Sequence, residues 1–212
     1  MTKVYLVRHG QSVANVERVF SNGKVDLPLT DLGVRQAEQA AAWLLGKGIE
    51  HVFSAPLLRA RQTAAIVATC LGLDESGVTI LQDLDEVRVG DLDGRRDDES
   101  WATLDRVLER WREGDLEAAF PGGETLAAAM GRFEGALKEI AQQYPSGTVA
   151  AVSHGAIQLT VVPKLCSALG EEMRLGRVEW TLANAAITAL EVSEEGWICH
   201  IWGSVEHIQA EK

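Results

Sequence analysis

Two histidines stand directly after apolar runs that are typical of buried strands. His9 ends the segment KVYLVRH (3–9), and His154 ends GTVAAVSH (147–154). A glycine follows each histidine, and glycine allows the backbone to turn sharply after a strand. Ligands of open α/β sheets bind outside the carboxyl ends of the strands, so one pocket could contain both imidazoles. A histidine that only hydrogen-bonds to backbone at a strand end fits the same pattern.

Two arginines are predicted to reach the same edge of the sheet. Arg8 precedes His9, and Arg59 falls in the first turn of a helix that follows the apolar segment HVFSA (51–55). Guanidinium groups bind phosphate oxygens in a bidentate manner and stay charged at any working pH. Helix N-termini at this edge add backbone N–H donors. Together with the histidines, these groups predict a binding site for a dianion such as phosphate.

A proton donor is needed if this site does chemistry, and Glu86 is the candidate. It lies in LDEVRVGDLDG (84–94), after a third strand candidate, GVTILQDL (77–84). A carboxyl group near a bound phosphate could act as a general acid. Several aspartates surround Glu86, however, and such a charge run also fits a solvated acidic loop. From the residues alone, both interpretations stay open.

The elements that must position these side chains alternate along the chain. Strands are predicted at 3–9, 51–55, 77–84, 147–154, 185–193 and 197–202, the last two as a hairpin around Glu194, Glu195 and Gly196. Helices are predicted at 31–47, from Pro56 to residue 71, at 101–111, at 124–143 and at 155–170, the last with a kink or restart at Pro163. The alternation predicts an α/β fold with a mostly parallel central sheet. We expect a single domain over residues 1–212, with a polar helical cap at about 95–123.

Composition excludes several classes of protein. The 212 residues include 20 Lys and Arg against 31 Asp and Glu, for a net charge of −11. This charge repels phosphate backbones and anionic lipids, so neither nucleic acid nor a membrane is an expected partner. No apolar run approaches the roughly 20 residues of a membrane helix, and the first residues lack the features of a signal peptide. Three widely spaced cysteines indicate neither a disulfide framework nor a zinc site, so we expect a cytoplasmic protein.

The last predicted strand carries apolar side chains on both faces. It is WICHIW (197–202), with Trp197 and Trp202 on opposite faces. A strand of this kind at the edge of a sheet needs a cover, because exposed apolar edges promote association. A second copy of the chain is a candidate for that cover, which would make the protein a homodimer.

An ordered series of motifs resembles the histidine phosphatase superfamily, the phosphoglycerate mutase-like proteins. The tripeptide RHG alone is weak, whereas the whole series in order is specific and extends from residue 3 to about 192. The segments are RHGQSVAN (8–15), DLPLTDLGVRQA (26–37), SAPLLRARQTA (54–64), LDEVRVGDLDG (84–94), PGGET (121–125), VSHGA (152–156) and LANAAITAL (182–190). The resemblance implies a three-layer α/β sandwich with the mostly parallel sheet in the middle.

The resemblance also implies a role for each residue of the site. His9 would be the nucleophile that becomes phosphohistidine, and Glu86 the general acid that protonates the leaving alkoxide. Arg8, Arg59 and a protonated His154 would hold the phosphoryl oxygens, so that neither a metal nor a cofactor is expected. The further contacts to phosphate and substrate are predicted at Asn15, Asn22, Gly23 and Gly155. Because Glu86 and His154 both need a proton, we expect activity to be highest on the acidic side of neutrality.

The resemblance leaves the reaction to be chosen between hydrolysis and isomerisation. Cofactor-dependent mutases of this family carry an insertion with an arginine pair and a proline run, which has no counterpart between Gly94 and Pro121. The predicted cap is net acidic and is poorly suited to a bisphosphorylated intermediate. We therefore expect a phosphatase that acts on a small phosphorylated metabolite. The alternatives are a phosphoglycerate mutase and a non-catalytic module that binds a phosphorylated ligand.

Overall fold

The strands of the protein form one central sheet. The computed structural model describes residues 1–74, 77–193 and 196–208. The strands in this part of the chain are β1 (Thr2–Arg8), β2 (His51–Ser54), β3 (Val78–Ile80), β4 (Thr148–Ser153), β5 (Ile187–Ser193) and β6 (Gly196–Ser204). Their spatial order is β3-β2-β4-β1-β5-β6. β1, β4, β2 and β3 are mutually parallel, whereas β5 is antiparallel to β1 and β6.

The two central strands, β1 and β4, place both histidines at one edge of the sheet. Val7 pairs with Val152, and Arg8 pairs with Ser153. Both strands are made of apolar side chains that are fully buried through most of their length, which requires cover on both faces. Because the strands run parallel and in this register, His9 and His154 follow at the same level.

Helices cover the sheet. They are, in the described residues, α1 (Val13–Glu17), α2 (Asp31–Leu44), α3 (Leu58–Cys70), α4 (Asp98–Arg112), α5 (Leu126–Gln143), α6 (Gly155–Leu165) and α7 (Ser167–Arg174). α2 packs on α3, which packs on β2 and β4, while α5 packs on α6 and β5. The predicted α/β sandwich with a mostly parallel sheet is confirmed.

Several elements differ from the sequence-based prediction. The strand predicted at 77–84 is shorter, because β3 ends at Ile80 and Gln82–Leu84 form a turn of 3₁₀-helix. The short helix α1 was not predicted. The break predicted at Pro163 lies at Cys166, because α6 continues through the proline to Leu165 and α7 then begins. A proline removes one N–H from a helix, and the buried apolar face of α6 outweighs that loss.

The C-terminal strands pair as predicted. β5 and β6 form an antiparallel pair, while Glu194 and Glu195 of the predicted turn lie outside the described residues. β6 is the edge strand of the sheet, and Ile198 on it is 51% exposed. A homodimer through this edge stays a prediction. Among the described residues, none of the helices combines the length and apolar character that spanning a membrane requires.

The predicted cap contains α4 and packs against the loop after α1. Trp101 stacks on Phe20 with ring centroids 4.4 Å apart. Trp111 is fully buried, and its Nε1 donates a hydrogen bond to the carbonyl of Ala118 at 2.7 Å. The stack on Phe20 holds α4 beside the edge of the sheet that carries His9, whereas the Trp111 hydrogen bond lies within the cap. That residues 1–212 form one domain stays a prediction.

Candidate active site

His9 is held in one tautomer by its two ring nitrogens. Nε of Arg59 donates a hydrogen bond to Nε2 of His9 at 3.1 Å. A guanidinium N–H only donates, so Nε2 offers its lone pair and the ring proton lies on Nδ1, which donates to the carbonyl of Gly10 at 2.7 Å. Burial, together with the charges of Arg59 and Arg8, lowers the pKa of His9 well below its usual range. The ring is therefore neutral, with Nε2 available as a nucleophile.

His154 lies beside His9 and is fully buried. The two ring centroids are 5.1 Å apart. Neither ring nitrogen of His154 has a hydrogen-bond partner among the described residues. Burial, then the charge of Arg59, lowers the pKa of His154 well below its usual range. The structure therefore disfavours the imidazolium form that the sequence analysis expects, because the ring is shielded from water next to cationic side chains.

Asp85 lies next to His154 and was missed as a site residue. Its Oδ1 is 3.5 Å from Nε2 of His154 and accepts a hydrogen bond from the N–H of Glu86 at 2.8 Å. Burial raises the pKa of Asp85 to about 6, although the hydrogen bond from Glu86 opposes the shift. The sequence showed Asp85 only as one member of an acidic run.

Arg59 reaches the site from the first turn of α3. Its guanidinium is buried, and one terminal nitrogen donates to the carbonyl of Ser21 at 2.9 Å and to the hydroxyl of Ser21 at 3.2 Å. Burial lowers the pKa of Arg59, and the nearby Glu86 opposes that effect. An arginine remains cationic in proteins even so. Arg59 thus orients the ring of His9 and presents a positive charge beside it.

Arg8 lies on the other side of the site, at the end of β1. One terminal nitrogen donates to the carbonyl of Leu182, and Nε has no hydrogen-bond partner among the described residues. A Cβ at Gly155 would come within 2.9 Å of that Nε. Glycine at position 155 is therefore required for Arg8 to pack against the first turn of α6. Burial lowers the pKa of Arg8, as it does for Arg59.

Glu86 binds the N-terminus of α6. Its Oε1 accepts a hydrogen bond from the N–H of Ile157 at 2.8 Å, and its Oε2 accepts one from the N–H of Ala156 at 3.1 Å. Free N–H groups and the helix dipole make this end of a helix favourable for a carboxylate. The same side chain lines the cleft next to His9. Glu86 is therefore a site residue and not part of a solvated acidic loop.

A buried ion pair supports the loop that carries Glu86. Arg132 on α5 pairs with Glu124, with a shortest contact of 2.6 Å. The same guanidinium donates to the carbonyls of Asp83, Asp85 and Glu86 at 2.8–3.0 Å. This pair was not predicted from the sequence. The available signal was a lone arginine on the apolar stripe of a predicted helix.

The predicted phosphate contact Asn15 lies in the cleft, close to His9. Its Oδ1 accepts hydrogen bonds from the N–H of Ser12 at 3.0 Å and from Nδ2 of Asn184 at 3.2 Å. Asn184 also donates to the carbonyl of His9 at 3.2 Å. With its oxygen engaged, Asn15 can present its Nδ2 group to a phosphate oxygen. Asn184 was not singled out from the sequence.

Asn22 and Gly23 were predicted to contact the substrate, but the observed contacts of the Asn22 side chain are to the protein backbone. Asn22 lines the cleft, but its Nδ2 donates to the carbonyl of Val87 at 3.0 Å and its Oδ1 accepts from the N–H of Val89 at 3.2 Å. Gly23 does not line the cleft, and its φ of 136° is one that favours glycine. A substrate contact at either residue stays a prediction.

These side chains surround a cleft of about 260 Å³. The predicted site residues that line it are Arg8, His9, Asn15, Asn22, Arg59, Glu86 and Gly155. His154 contacts the site from behind and does not line the cleft. A neutral imidazole, two guanidiniums and a carboxyl group at the carboxyl edge of a parallel sheet can bind a phosphate ester and attack its phosphorus. This arrangement is therefore suited to phosphoryl transfer.

Comparison with known proteins identifies the family. The model of the histidine phosphatase superfamily (branch 1) matches residues 4–205. The chain therefore belongs to the histidine phosphatase superfamily, and the resemblance noted from its motifs is confirmed.

The proteins that are similar to this chain include a probable phosphoglycerate mutase and a phosphatase. The "Probable phosphoglycerate mutase GpmB" of Cronobacter sakazakii is 33% identical to it, over 99% of this chain and 96% of the relative. A mycobacterial glucosyl-3-phosphoglycerate phosphatase, solved in complex with VO3, is similar with a TM-score of 0.77 and 26% identity, over 95% of this chain and 98% of the other. YhfR of Bacillus stearothermophilus has the same fold, with a TM-score of 0.80 and 23% identity, over 99% and 100% of the two chains.

Proposed function

We propose that this protein is a phosphatase that hydrolyses a small phosphate monoester through a phosphohistidine at His9. The hydrogen-bond arrangement around His9 carries the proposal. Arg59 directs a donor at Nε2 and Gly10 binds the Nδ1 proton, so the ring is kept in the nucleophilic tautomer. The unpartnered Nε of Arg8 supplies a further buried donor beside it, and leaving such a donor unpaired costs about 1–3 kcal/mol.

In the first step the lone pair of His9 Nε2 attacks phosphorus in line. The P–O bond to the alcohol breaks, and the leaving oxygen takes a proton from Glu86, which enters this step protonated although the N–H groups of Ala156 and Ile157 favour its carboxylate form. Arg8 and Arg59 neutralise the charge on the equatorial phosphoryl oxygens. The Nδ1 proton stays on the ring, where its hydrogen bond to Gly10 stabilises the positive charge of the phosphoimidazole.

In the second step water attacks the phosphohistidine. Glu86, now a carboxylate, takes a proton from the water as the new P–O bond forms. The N–P bond breaks, and its electron pair returns to Nε2 of His9. The cycle releases inorganic phosphate and restores both residues to their starting protonation states.

The same residues support a reaction without a metal. Two buried guanidiniums provide the positive charge that a divalent cation provides in other phosphoryl-transfer sites. In residues 1–74, 77–193 and 196–208, no group of three or more His, Cys, Asp and Glu side chains is arranged to hold a metal ion. We expect turnover to be unchanged after dialysis against EDTA, and a loss that is restored by a divalent cation would contradict this part of the proposal.

The phosphohistidine can be tested by rapid quench. We expect wild-type protein mixed with a 32P-labelled phosphate monoester to give an acid-labile, base-stable protein label. The variant His9→Asn keeps the polarity of the side chain but has no ring nitrogen that could attack phosphorus, so the label should disappear. Labelling of His9→Asn at the wild-type level would reject His9 as the nucleophile.

Hydrolysis must also be separated from the alternatives. A phosphoglycerate mutase would convert 3-phosphoglycerate to 2-phosphoglycerate in a reaction that depends on a bisphosphate primer, with little release of phosphate. A binding module would bind inorganic phosphate without turnover of any ester. We expect release of one phosphate per ester consumed and no isomerisation, because Arg8 and Arg59 are the only arginines or lysines that line the described cleft, and the proposed mechanism uses both for the phosphoryl group that His9 attacks.

A further inference from the structure

Outside the phosphate-binding residues, the walls of the cleft are apolar. The side chains that form these walls include Phe20, Val89, Trp101, Leu104, Leu159 and Leu182. Trp101 and Leu104 come from α4, one turn apart, and Leu159 comes from α6, whereas the others come from loops between elements. The alcohol part of a substrate bound at His9 would lie against this surface.

Among the described residues that line the cleft, none outside the phosphate-binding set offers a counter-ion to a charged alcohol part, and Arg18, which stacks on Trp101, is exposed to solvent. Within the described residues that line it, the permanently charged or acidic side chains are Arg8, Arg59 and Glu86, and all three belong to the phosphate-binding residues. A carboxylate, a second phosphate or an ammonium group on the substrate would lose water without gaining a partner. Burying an unpaired charge is strongly unfavourable.

The polar side chains of the cleft are already engaged within the protein. Both ends of the Asn22 amide bind the backbone of Val87 and Val89. The hydroxyl of Ser21 donates to the carbonyl of Val25 at 2.7 Å and accepts from Arg59. A sugar hydroxyl would therefore compete with existing hydrogen bonds and would gain little.

The aromatic part of the wall is rigid. Trp101 and Phe20 stack with an interplanar angle of 27°, and Nε1 of Trp101 donates to the carbonyl of Arg18 at 3.0 Å. The guanidinium of Arg18 lies 5.2 Å from the centroid of the same indole. A surface that is already ordered costs little entropy when a ligand binds, so its apolar area contributes efficiently to affinity.

We propose that the substrate is the phosphate monoester of an uncharged, largely apolar alcohol or phenol, such as an aryl or arylalkyl group. This inference rests on the proposed function for the reaction but specifies the leaving group. The phosphoryl group binds Arg8 and Arg59, and the apolar body packs against Trp101, Phe20 and Leu104. Esters whose alcohol part carries a carboxylate, as in phosphoglycerate or phosphoserine, are poor substrates.

Phosphonates test the inference without relying on catalysis, because their C–P bond is not hydrolysed. We expect calorimetry on the wild-type protein to show tighter binding along ethyl-, butyl- and hexylphosphonate, by roughly threefold to fourfold per buried methylene. We expect 2-phenylethylphosphonate to bind at least about tenfold more tightly than 3-phosphonopropionate or 2,3-dihydroxypropylphosphonate. Equal or tighter binding of 3-phosphonopropionate would overturn the inference.

A pair of leucine variants links the preference to this wall. Leu104→Lys places a cation in the cleft, so it should weaken binding of 2-phenylethylphosphonate and strengthen binding of 3-phosphonopropionate. Leu116→Lys makes the same change at an exposed position of the cap, outside the cleft, and should leave both affinities unchanged. An unchanged ranking in a folded Leu104→Lys protein would also overturn the inference.

The two proposals fail in different ways. Phosphonate binding that follows the expected order, without a phosphohistidine label in the rapid-quench experiment, would reject the reaction and keep the assignment of the apolar ligand. A label on His9 with phosphonate binding in the opposite order would keep the reaction and reject the apolar substrate.

Discussion

Arg132 donates a hydrogen bond to the backbone carbonyl of Glu86 at 2.9 Å. Arg132 lies on α5, whereas Glu86 lies on the loop after β3, so the contact joins two elements that are distant along the chain. Glu124 accepts from the same guanidinium and also from the N–H of Arg88 at 2.8 Å. The backbone around Glu86, the proposed general acid, is thus anchored on both sides by one buried ion pair.

This anchor predicts a leaving-group-dependent defect in Arg132→Lys. A lysine keeps the charge but cannot bind Glu124 and three carbonyls at once. Glu86 should then deliver its proton less well, and general acid catalysis is worth about 10²–10⁴ in rate. We expect at least about a tenfold loss of kcat for 2-phenylethyl phosphate, measured by phosphate release.

The control substrate is p-nitrophenyl phosphate, whose leaving phenolate needs no proton. Its turnover should change little in Arg132→Lys, and Glu86→Gln should show the same contrast between the two substrates. Equal losses on both substrates would mean that Arg132 acts on the site as a whole and not through the acid.

Removing the charge of Arg132 should destabilise the fold. In Arg132→Met the carboxylate of Glu124 stays buried without its partner, a change that costs about 3–5 kcal/mol. Urea unfolding measures the loss. The matched control is Arg174→Met, which breaks an ion pair with Glu171 on the exposed face of α7 and should have no measurable effect on the midpoint.

The contact between Arg59 and His9 predicts a large effect of Arg59→Lys. A single ammonium cannot donate to Nε2 of His9 and to Ser21 together, so the nucleophile loses its orientation. Loss of one preorganised donor typically costs 10²–10³ in kcat, and we expect a fall of about that size here. Arg61→Lys, two residues along on the exposed face of α3, is the control. Wild-type kcat in Arg59→Lys would show that the contact is dispensable.

The raised pKa of Asp85 predicts a pH-dependent gain in stability for Asp85→Asn. The folded carboxyl has a pKa of about 6 against 3.8 as its ordinary value, so the folded state binds more protons between these values. Wild-type stability therefore falls as pH rises through this window. At 1.36 kcal/mol per unit, the advantage of asparagine reaches at most about 3 kcal/mol by pH 7.

Urea unfolding from pH 4 to pH 7.5 measures this gain. At the acid end both side chains are neutral, so the two proteins should differ least there, which provides an internal control. A constant difference between wild type and Asp85→Asn over the whole range would contradict the assigned burial of the charge.

The lowered pKa of His9 predicts activity that persists in mild acid. Protonation of Nε2 would remove the nucleophile, but burial and two arginines move this event to a pH well below 6.5. We expect kcat/KM for p-nitrophenyl phosphate not to decline between pH 7 and pH 5.5. Arg59→Met removes one of the charges that oppose protonation of His9, so the fall in kcat/KM on the acid side should begin at a higher pH in this variant. An acid limb centred near 6.5 in the wild type would contradict the prediction.

Local sequence patterns were sufficient to predict the scaffold and the edge of the sheet at which the candidate site lies. The apolar runs before His9 and His154 require burial on both faces of a sheet, and the glycine after each histidine ends the strand. Parallel strands bring their carboxyl ends to one edge, so Arg8 and Arg59 could also be assigned to that edge. The motif series then supplied the role of Glu86, which charge patterning alone left open.

The sequence could not supply the state of the site, because that state depends on contacts between distant residues. The neutrality of His154 follows from burial beside Arg59, and neither local pattern nor formal charge shows that burial. Arg132 on α5 donates a hydrogen bond to the carbonyl of Glu86 on the loop after β3. The side-chain amide of Asn22 is hydrogen-bonded to the backbone of Val87 and Val89. Periodicity reports which face of an element is buried, but not what it is buried against.

The sequence by itself determined where the side chains of the candidate site leave the sheet, because strand burial and turn chemistry are local properties. Only the tertiary structure decided the tautomer of His9, the anchoring of Glu86 and the apolar surface that Trp101 and Leu104 present to the cleft. These depend on angles and distances between elements that meet only after the chain has folded.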